Sequence, residues 1–300
     1  MLGIVGTVPD KDFPLISGRV RLEKERIHIG ETTVPVNRGT PALLAAAAMA
    51  CKVLGLAPPM GYLVGDTGLG RGSRLLYDHL VHSIGRSGLR FVTFHYLQPD
   101  VDWHNKVLFA LADISHPPLL IADAGFMYAA KMSGQSKAYE LFTPDAGELA
   151  FLADEEAPHP FYTRGFILHN EDQVPELISR AYEHENAARY LLVKGRQDHV
   201  ASNKGVHAVI DSPADEALEA MGGTGDSLTG IVSALIASGI KTKEAAILAA
   251  GINRLAGHYA RPTPASQVME VIGHIPRAME EVLDKGGKRI EPVHSEPEIA

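Results

Sequence analysis

Over residues 26–210, short runs of β-branched and apolar residues alternate with longer stretches in which apolar residues recur every three or four positions. Period two with β-branching marks strands and period 3.6 marks amphipathic helices, so the alternation predicts βαβ units around a mainly parallel sheet. The predicted strands are 26–29, 61–64, 90–96, 119–122, 190–193 and 205–210, and the predicted helices 40–56, 73–84, 105–114, 146–152 and 172–185. From residue 227 the pattern becomes purely helical, over 227–238, 242–259 and 263–283. Pro264 suits the first position of the last helix and Pro276 must break or kink it. Residues 1–36 are β-prone with scattered glycine and proline and read as an arm or edge hairpin. Residues 285–300 lack periodicity and read as a tail, loosely ordered or laid along a neighbouring surface. Neither a repeat nor a linker interrupts the chain, so one α/β domain over 1–284 is the default.

Composition narrows the function. A hydrophobic content of 45% and a charged content of 21% are those of an ordinary globular chain. The formal net charge of -8 argues against a sequence-independent nucleic-acid binder, which needs a basic surface to release counterions. It remains compatible with a small phosphorylated ligand if local positive groups offset the field. The amino terminus lacks a basic segment followed by an apolar one, and no apolar run approaches the roughly 20 residues of a membrane span. A cytoplasmic protein is expected. Cys51 is the single cysteine, which excludes an internal disulfide and reads as a buried, inert thiol among alanines. His79 and His82 are the one closely spaced histidine pair, with no clear carboxylate partner for a metal.

The densest chemical signal is Gly222, Gly223, Thr224, Gly225 and Asp226, just before a helix whose apolar face is Leu228, Ile231, Val232, Leu235 and Ile236. Helix starts present unpaired N–H groups and the positive end of the macrodipole, and glycine lets an anion approach the backbone. A carboxylate in such a cradle would repel phosphate unless it faces the atom that loses a proton. Asp226 therefore reads as a general base beside an anion hole, with a plain N-cap as the alternative. Lys194 and Gly195 end a buried strand, where an ammonium can pair with phosphate oxygens. Asp123 follows an apolar strand and would hold a substrate hydroxyl or a metal-bound water, or cap the next turn. Gly68 and Gly70 belong to a glycine-rich turn after a strand, either lining a ligand's wall or forming a flexible βα turn. Asp145 and Glu148 both suit a helix start, and Glu148 has a second reading, organising magnesium through water. Asn253 lies in an otherwise apolar helical stretch, touching an adenine or satisfying backbone.

In order, Gly68-Leu69-Gly70, Asp123-Ala124-Gly125, Thr143-Pro144-Asp145-Ala146-Gly147-Glu148-Leu149, Val193-Lys194-Gly195 and Gly222-Gly223-Thr224-Gly225-Asp226 resemble the ribokinase-like superfamily. More narrowly they resemble its NAD(P)H-hydrate dehydratase branch, also called carbohydrate kinase, best over 119–283. The resemblance implies a three-layer α/β/α fold with a mostly parallel central sheet. It implies Asp226 as catalytic aspartate, with Lys194, Gly195, Gly222, Gly223, Thr224, Gly225 and Asn253 toward the nucleotide. Gly68, Gly70, Asp123 and Asp145 would face substrate. The branch uses ATP or ADP with Mg²⁺ to phosphorylate the hydroxyl of hydrated NADH or NADPH and then eliminates phosphate. Self-association into a homo-oligomer is a further expectation from the resemblance.

The chain departs from the branch in three places. Asp145-Ala146-Gly147-Glu148 stands where the family usually has His-Pro-Gly-Glu, and Gly65-Asp66-Thr67-Gly68-Leu69-Gly70 where it has Gly-Pro-Gly-Leu-Gly. The family's Tyr-x-Gly-Ala segment is not recognisable in Asn37-Arg38-Gly39-Thr40-Pro41-Ala42. Kinase action on a small alcohol, such as a sugar or vitamin precursor, is therefore an alternative outcome, and nucleotide binding without turnover another. An apolar-ligand binder leaves the glycine loops unexplained.

Overall fold

The structure is a computed structural model, and residues 1–156, 173–263 and 265–285 are described. In chain order the first half comprises β1 (Leu2–Val8), β2 (Ile16–Glu23), β3 (Arg26–Ile29), β4 (Thr32–Pro35), α1 (Thr40–Val53), β5 (Met60–Gly65), α2 (Arg71–Ser83), β6 (Phe91–Phe94), α3 (Val101–Ala112), β7 (Leu119–Ala122) and α4 (Gly125–Met132). There follow β8 (Leu141–Phe142), α5 (Ala146–Ala153), α6 (Val174–Glu183), β9 (Tyr190–Val193), β10 (Asp198–Ser202), β11 (Gly205–Ile210), α7 (Thr224–Ala237), α8 (Thr242–Ala260), α9 (Val268–Gly273) and α10 (Ile275–Lys285).

The strands form one sheet in the order β11-β10-β9-β8-β7-β6-β1-β5-β2-β3-β4. From β9 to β5 every neighbouring pair is parallel, while β10 and β11 at one end and β2, β3 and β4 at the other are antiparallel. Side chains alternate across it: Ile4 and Leu192 enter one core with α1, α7 and α8, and Val5, Leu191 and Val193 enter the other with α2, α3 and α5. The result is the three-layer α/β/α arrangement with a mostly parallel centre that the resemblance implied.

The arm or edge hairpin expected over 1–36 is corrected in its first part. β1 is a fully buried strand at the sheet's centre, between β5 and β6, and only β2, β3 and β4 form the edge. Gly3 and Gly6 dilute its β-branched signal, and Gly6 is sterically required. A Cβ on Gly3 would lie 2.6 Å from Leu89 Cδ1, and one on Gly6 would lie 2.4 Å from Thr40 Oγ1.

Helix ends follow local chemistry. Asp100 caps α3 by accepting from the Trp103 amide at 3.2 Å, so that helix starts before the expected residue 105. The helix expected over 263–283 divides at His274 into α9 and α10; Pro276 occupies the first turn of α10, where a missing N–H costs nothing. Pro264, Asp172 and the tail 286–300 lie outside the described residues. Cys51 is buried in α1 and burial pushes its thiol up to about 12, as an inert core thiol requires. Among the described residues no helix is long and apolar enough to cross a membrane.

Candidate active site

The carboxyl ends of the parallel strands converge on one edge, the place where ligands bind in open α/β sheets. His95 and Tyr96 follow β6, Asp123 follows β7, Thr143 follows β8 and Lys194 follows β9. The start of α7 meets this edge. Gly223 sits at φ 102° as the residue before the helix, and a Cβ there would lie 3.1 Å from Val268 side-chain carbons. Left-handed backbone and close packing together call for glycine.

Asp226 is therefore the third residue of α7 and not its N-cap. The carboxylate reaches away from its own helix: Oδ2 accepts from the Gly39 amide at 2.6 Å and Oδ1 lies 3.0 Å from His95 Nε2. The residue is 8% exposed. Burial pushes its carboxyl upward, but the hydrogen bond and charge of His95, the charge of Lys194 and the Gly39 amide outweigh that and hold it below the usual carboxylate range. The amides of Thr224, Gly225 and Asp226 belong to the first turn of α7, where N–H groups have no carbonyl of their own helix to bond. An ionised carboxylate thus stands next to the amino-terminal amides of α7.

Lys194 is paired. Its Nζ lies 2.8 and 3.0 Å from the two oxygens of Asp123, which also accepts from Thr229 Oγ1 at 2.6 Å and from the Ala124 amide at 2.8 Å. Burial disfavours the ammonium, but Asp123 and Glu148 outweigh it and keep the charge well above the usual lysine range of stability. The aliphatic stem of Lys194 approaches Gly225, where a Cβ would lie 3.4 Å from Cδ. The strand-end cation and the glycine turn are thereby neighbours.

These groups line a cavity of about 1020 Å³ that contains His95, Tyr96, Asp123, Asp145, Glu148, Lys194, Gly195, Gly223, Thr224, Gly225, Asp226 and Asn253. Asp145 and Glu148 cap α5 reciprocally: Asp145 Oδ1 accepts from the Glu148 amide at 2.8 Å and Glu148 Oε2 from the Asp145 amide at 2.9 Å. The helix-start reading accounts for their spacing, yet both also face the cavity. Burial raises the Glu148 carboxyl well above the carboxylate range; Lys194 opposes the rise, and Asp145 and Asp123 add to it. A cation brought beside it would reverse that shift.

Asn253 Nδ2 donates to the Thr224 carbonyl at 3.1 Å and Ser227 Oγ donates to Asn253 Oδ1 at 2.7 Å, so the amide buttresses the start of α7. The Gly195 amide donates to Asp198, and Arg254 ties Asp198 to the Gly195 carbonyl, so Gly195 lines the cavity with its own N–H engaged. Gly222 is not among the residues lining the cavity, and a Cβ there would lie 3.5 Å from Arg38 Cδ.

Gly68 and Gly70 are not among the residues lining this cavity. Their amides, with those of Leu69 and Ser73, donate to the Asp66 carboxylate at 2.8 to 3.1 Å. The turn's anion site is filled by the turn's own side chain. These bonds outweigh burial and hold the Asp66 carboxyl low.

Several site residues carried no readable signal in the sequence. His95 and Tyr96 fall inside the strand predicted over 90–96, and Gly39 and Thr40 open a helix far away in the chain. Tyr96 and Ala124 are non-glycine residues at φ 46° and φ 51°, each lining the cavity. Strained backbone of this kind concentrates at functional sites. The Thr7 hydroxyl pins the first by donating to the Tyr96 carbonyl at 2.7 Å.

A glycine turn entering a helix, an inward aspartate and a strand-end lysine on a parallel sheet define a protein of ribokinase-like fold. A ribokinase-like superfamily protein of Enterococcus faecalis superposes with a TM-score of 0.56 at 14% identity, over 94% of this chain and 87% of that one. An ADP/ATP-dependent NAD(P)H-hydrate dehydratase of Bacillus subtilis, co-crystallized with ATP and Mg²⁺, superposes with a TM-score of 0.56 at 16% identity, over 94% and 89%. The chain belongs to the family described as NAD(P)H-hydrate dehydratase, whose family model matches residues 99–274. An uncharacterized protein of Methanocaldococcus jannaschii is 42% identical over 220 residues, 73% of this chain and 90% of its own length.

Proposed function

We propose that this protein is an ATP- or ADP-dependent enzyme that phosphorylates the hydroxyl of a small substrate, with hydrated NADH or NADPH as the leading acceptor. The observation that carries this reading is the Asp226 carboxylate, held ionised beside the amino-terminal amides of α7, with Lys194 packed on the same turn. In the transfer, Asp226 takes the acceptor's hydroxyl proton as its oxygen bonds to the terminal phosphorus, and the bond to the leaving nucleotide oxygen breaks. The amides of α7 and the charge of Lys194 face the phosphoryl oxygens on which negative charge gathers. For a hydrated nicotinamide ring, phosphate then leaves with the electron pair of its C–O bond while the neighbouring ring carbon loses a proton, and the C=C bond formed restores the reduced cofactor.

A divalent cation fits this cavity in one manner only. Among the described residues no group of three His, Cys, Asp or Glu side chains could hold a metal. Glu148 and Asp145 offer oxygen donors, which suit Mg²⁺ held mainly through water and phosphate oxygens. Bound there, Mg²⁺ would neutralise charge on the transferring group.

Small-alcohol phosphorylation is the second reading, favoured by the self-filled turn at Asp66, which differs from the family's Gly-Pro-Gly-Leu-Gly segment. Parallel assays separate the two: return of NADH absorbance from its hydrate with ATP or ADP, and nucleotide consumption across a panel of small alcohols. Restoration of NADH is the expected result. Tight nucleotide binding by calorimetry, with no turnover in either assay, would replace both readings with a non-catalytic nucleotide-binding protein.

A further inference from the structure

Thr40, His95 and Asp226 form a continuous line through the interior. Thr40 Oγ1 lies 3.0 Å from His95 Nδ1, and His95 Nε2 lies 3.0 Å from Asp226 Oδ1. Thr40 opens α1, His95 ends β6 and Asp226 lies in the first turn of α7, so three elements distant in sequence meet here. Room for the line comes from the central strand: a Cβ at Gly6 would sit 2.4 Å from Thr40 Oγ1 and 2.5 Å from the His95 carbonyl. The start of α1 holds the carboxylate twice, through the Gly39 amide on Oδ2 and through Thr40 and His95 on Oδ1. Residues 39, 40 and 95 all precede the segment that the family model matches.

We infer that His95 is a positioning residue that fixes the plane of the Asp226 carboxylate and keeps it anionic, with Thr40 fixing the ring of His95 in turn. This rests on the reading of Asp226 as the base, although the contacts themselves do not.

Two other roles fail on geometry. His95 is 1% exposed and Thr40 0%, so the pair offers no exit for a proton to solvent. Both ring nitrogens are engaged, one by Thr40 and one by Asp226, so neither is open to a metal. What remains is orientation and charge. A carboxylate that is 8% exposed rises in pKa unless donors hold its anionic form, and His95 is the side-chain donor in contact with it. The other charged or titratable groups facing it are Lys194 from the end of β9, with its partner Asp123 from β7, Glu148 from α5, and Tyr96 beside His95. None of them makes a hydrogen bond to Asp226 among the described residues.

The test reads Asp226 directly. Carboxyl carbon NMR of the full chain, with Asp226→Asn identifying the resonance, follows its titration in the wild type, His95→Ala, His95→Gln and Thr40→Val. His95→Ala should move the titration up by about one pH unit or more, a tenfold change in proton affinity per unit. His95→Gln, whose amide can donate to the same oxygen, should recover part of the shift, and Thr40→Val should give a smaller shift of the same sign. With a turning-over substrate, the acid limb of kcat/KM should move in step and kcat should fall with little change in nucleotide KM. An unchanged titration in folded His95→Ala or, where that variant does not fold, in folded Thr40→Val would overturn the inference. A shifted titration in a protein that phosphorylates no acceptor would uphold the positioning and overturn the base.

Discussion

Asp226→Asn is expected to lower turnover by about 10²–10⁴, the usual contribution of a general base, while the protein stays folded and still binds nucleotide. The amide keeps the size of the carboxylate and can still accept from the Gly39 amide, but it cannot take a proton. Steady-state kinetics beside calorimetry checks both halves. The pH dependence has a defined sign. The Asp226 carboxyl lies below its ordinary 3.8 in the folded protein, so the proposed base is ionised throughout the neutral range and an acid limb between pH 5 and 8 would belong to another group. By linkage, the stability drawn from these contacts is present above 3.8 and is lost as pH falls through the lower folded value.

Lys194→Met is expected to cost about 3–5 kcal/mol of stability, because it strands the Asp123 carboxylate in the interior. Asp123 is 1% exposed, and Thr229 and the Ala124 amide alone would remain to hold its charge. The double variant Lys194→Met with Asp123→Asn should recover a large part of the loss, since the buried pair is removed together. Urea unfolding of the four proteins closes the cycle. Additive costs would show that the two groups do not act as a pair. Nucleotide affinity should fall in both variants lacking Lys194, whatever the stability does.

Much of the fold is legible in the chain's pattern because βαβ units repeat a local signal. The strands β3, β7, β9 and β11 occupy their predicted ranges, each a short apolar or β-branched run. Where the signal fails, tertiary packing explains it. β1 needs glycine at 6 to admit Thr40 and His95 and carries a second glycine at 3, so the sheet's central strand resembles a loose arm in sequence. β8 is two residues long, and β10, buried throughout, opens with the polar Asp198 and His199.

The site divides in the same way. Gly223, Thr224, Gly225 and Asp226 are contiguous, and Asp145 and Glu148 are three apart, so local rules find them. The Asp226 contact with Gly39 spans 187 residues, and nothing local marks it. Asp66 shows the converse, since its turn has the composition of an anion cradle and the acid within the same turn fills it. Glycine spacing reveals where backbone is open, but only three dimensions reveal what already occupies the opening.

The most direct test of the central claim is a crystal structure of the full chain with a nucleotide and Mg²⁺. The account predicts the terminal phosphates against the amides of Gly223 to Asp226, within reach of Lys194, and an open path from the transferring phosphorus to Asp226. Phosphates bound elsewhere, with the first turn of α7 left free, would contradict it.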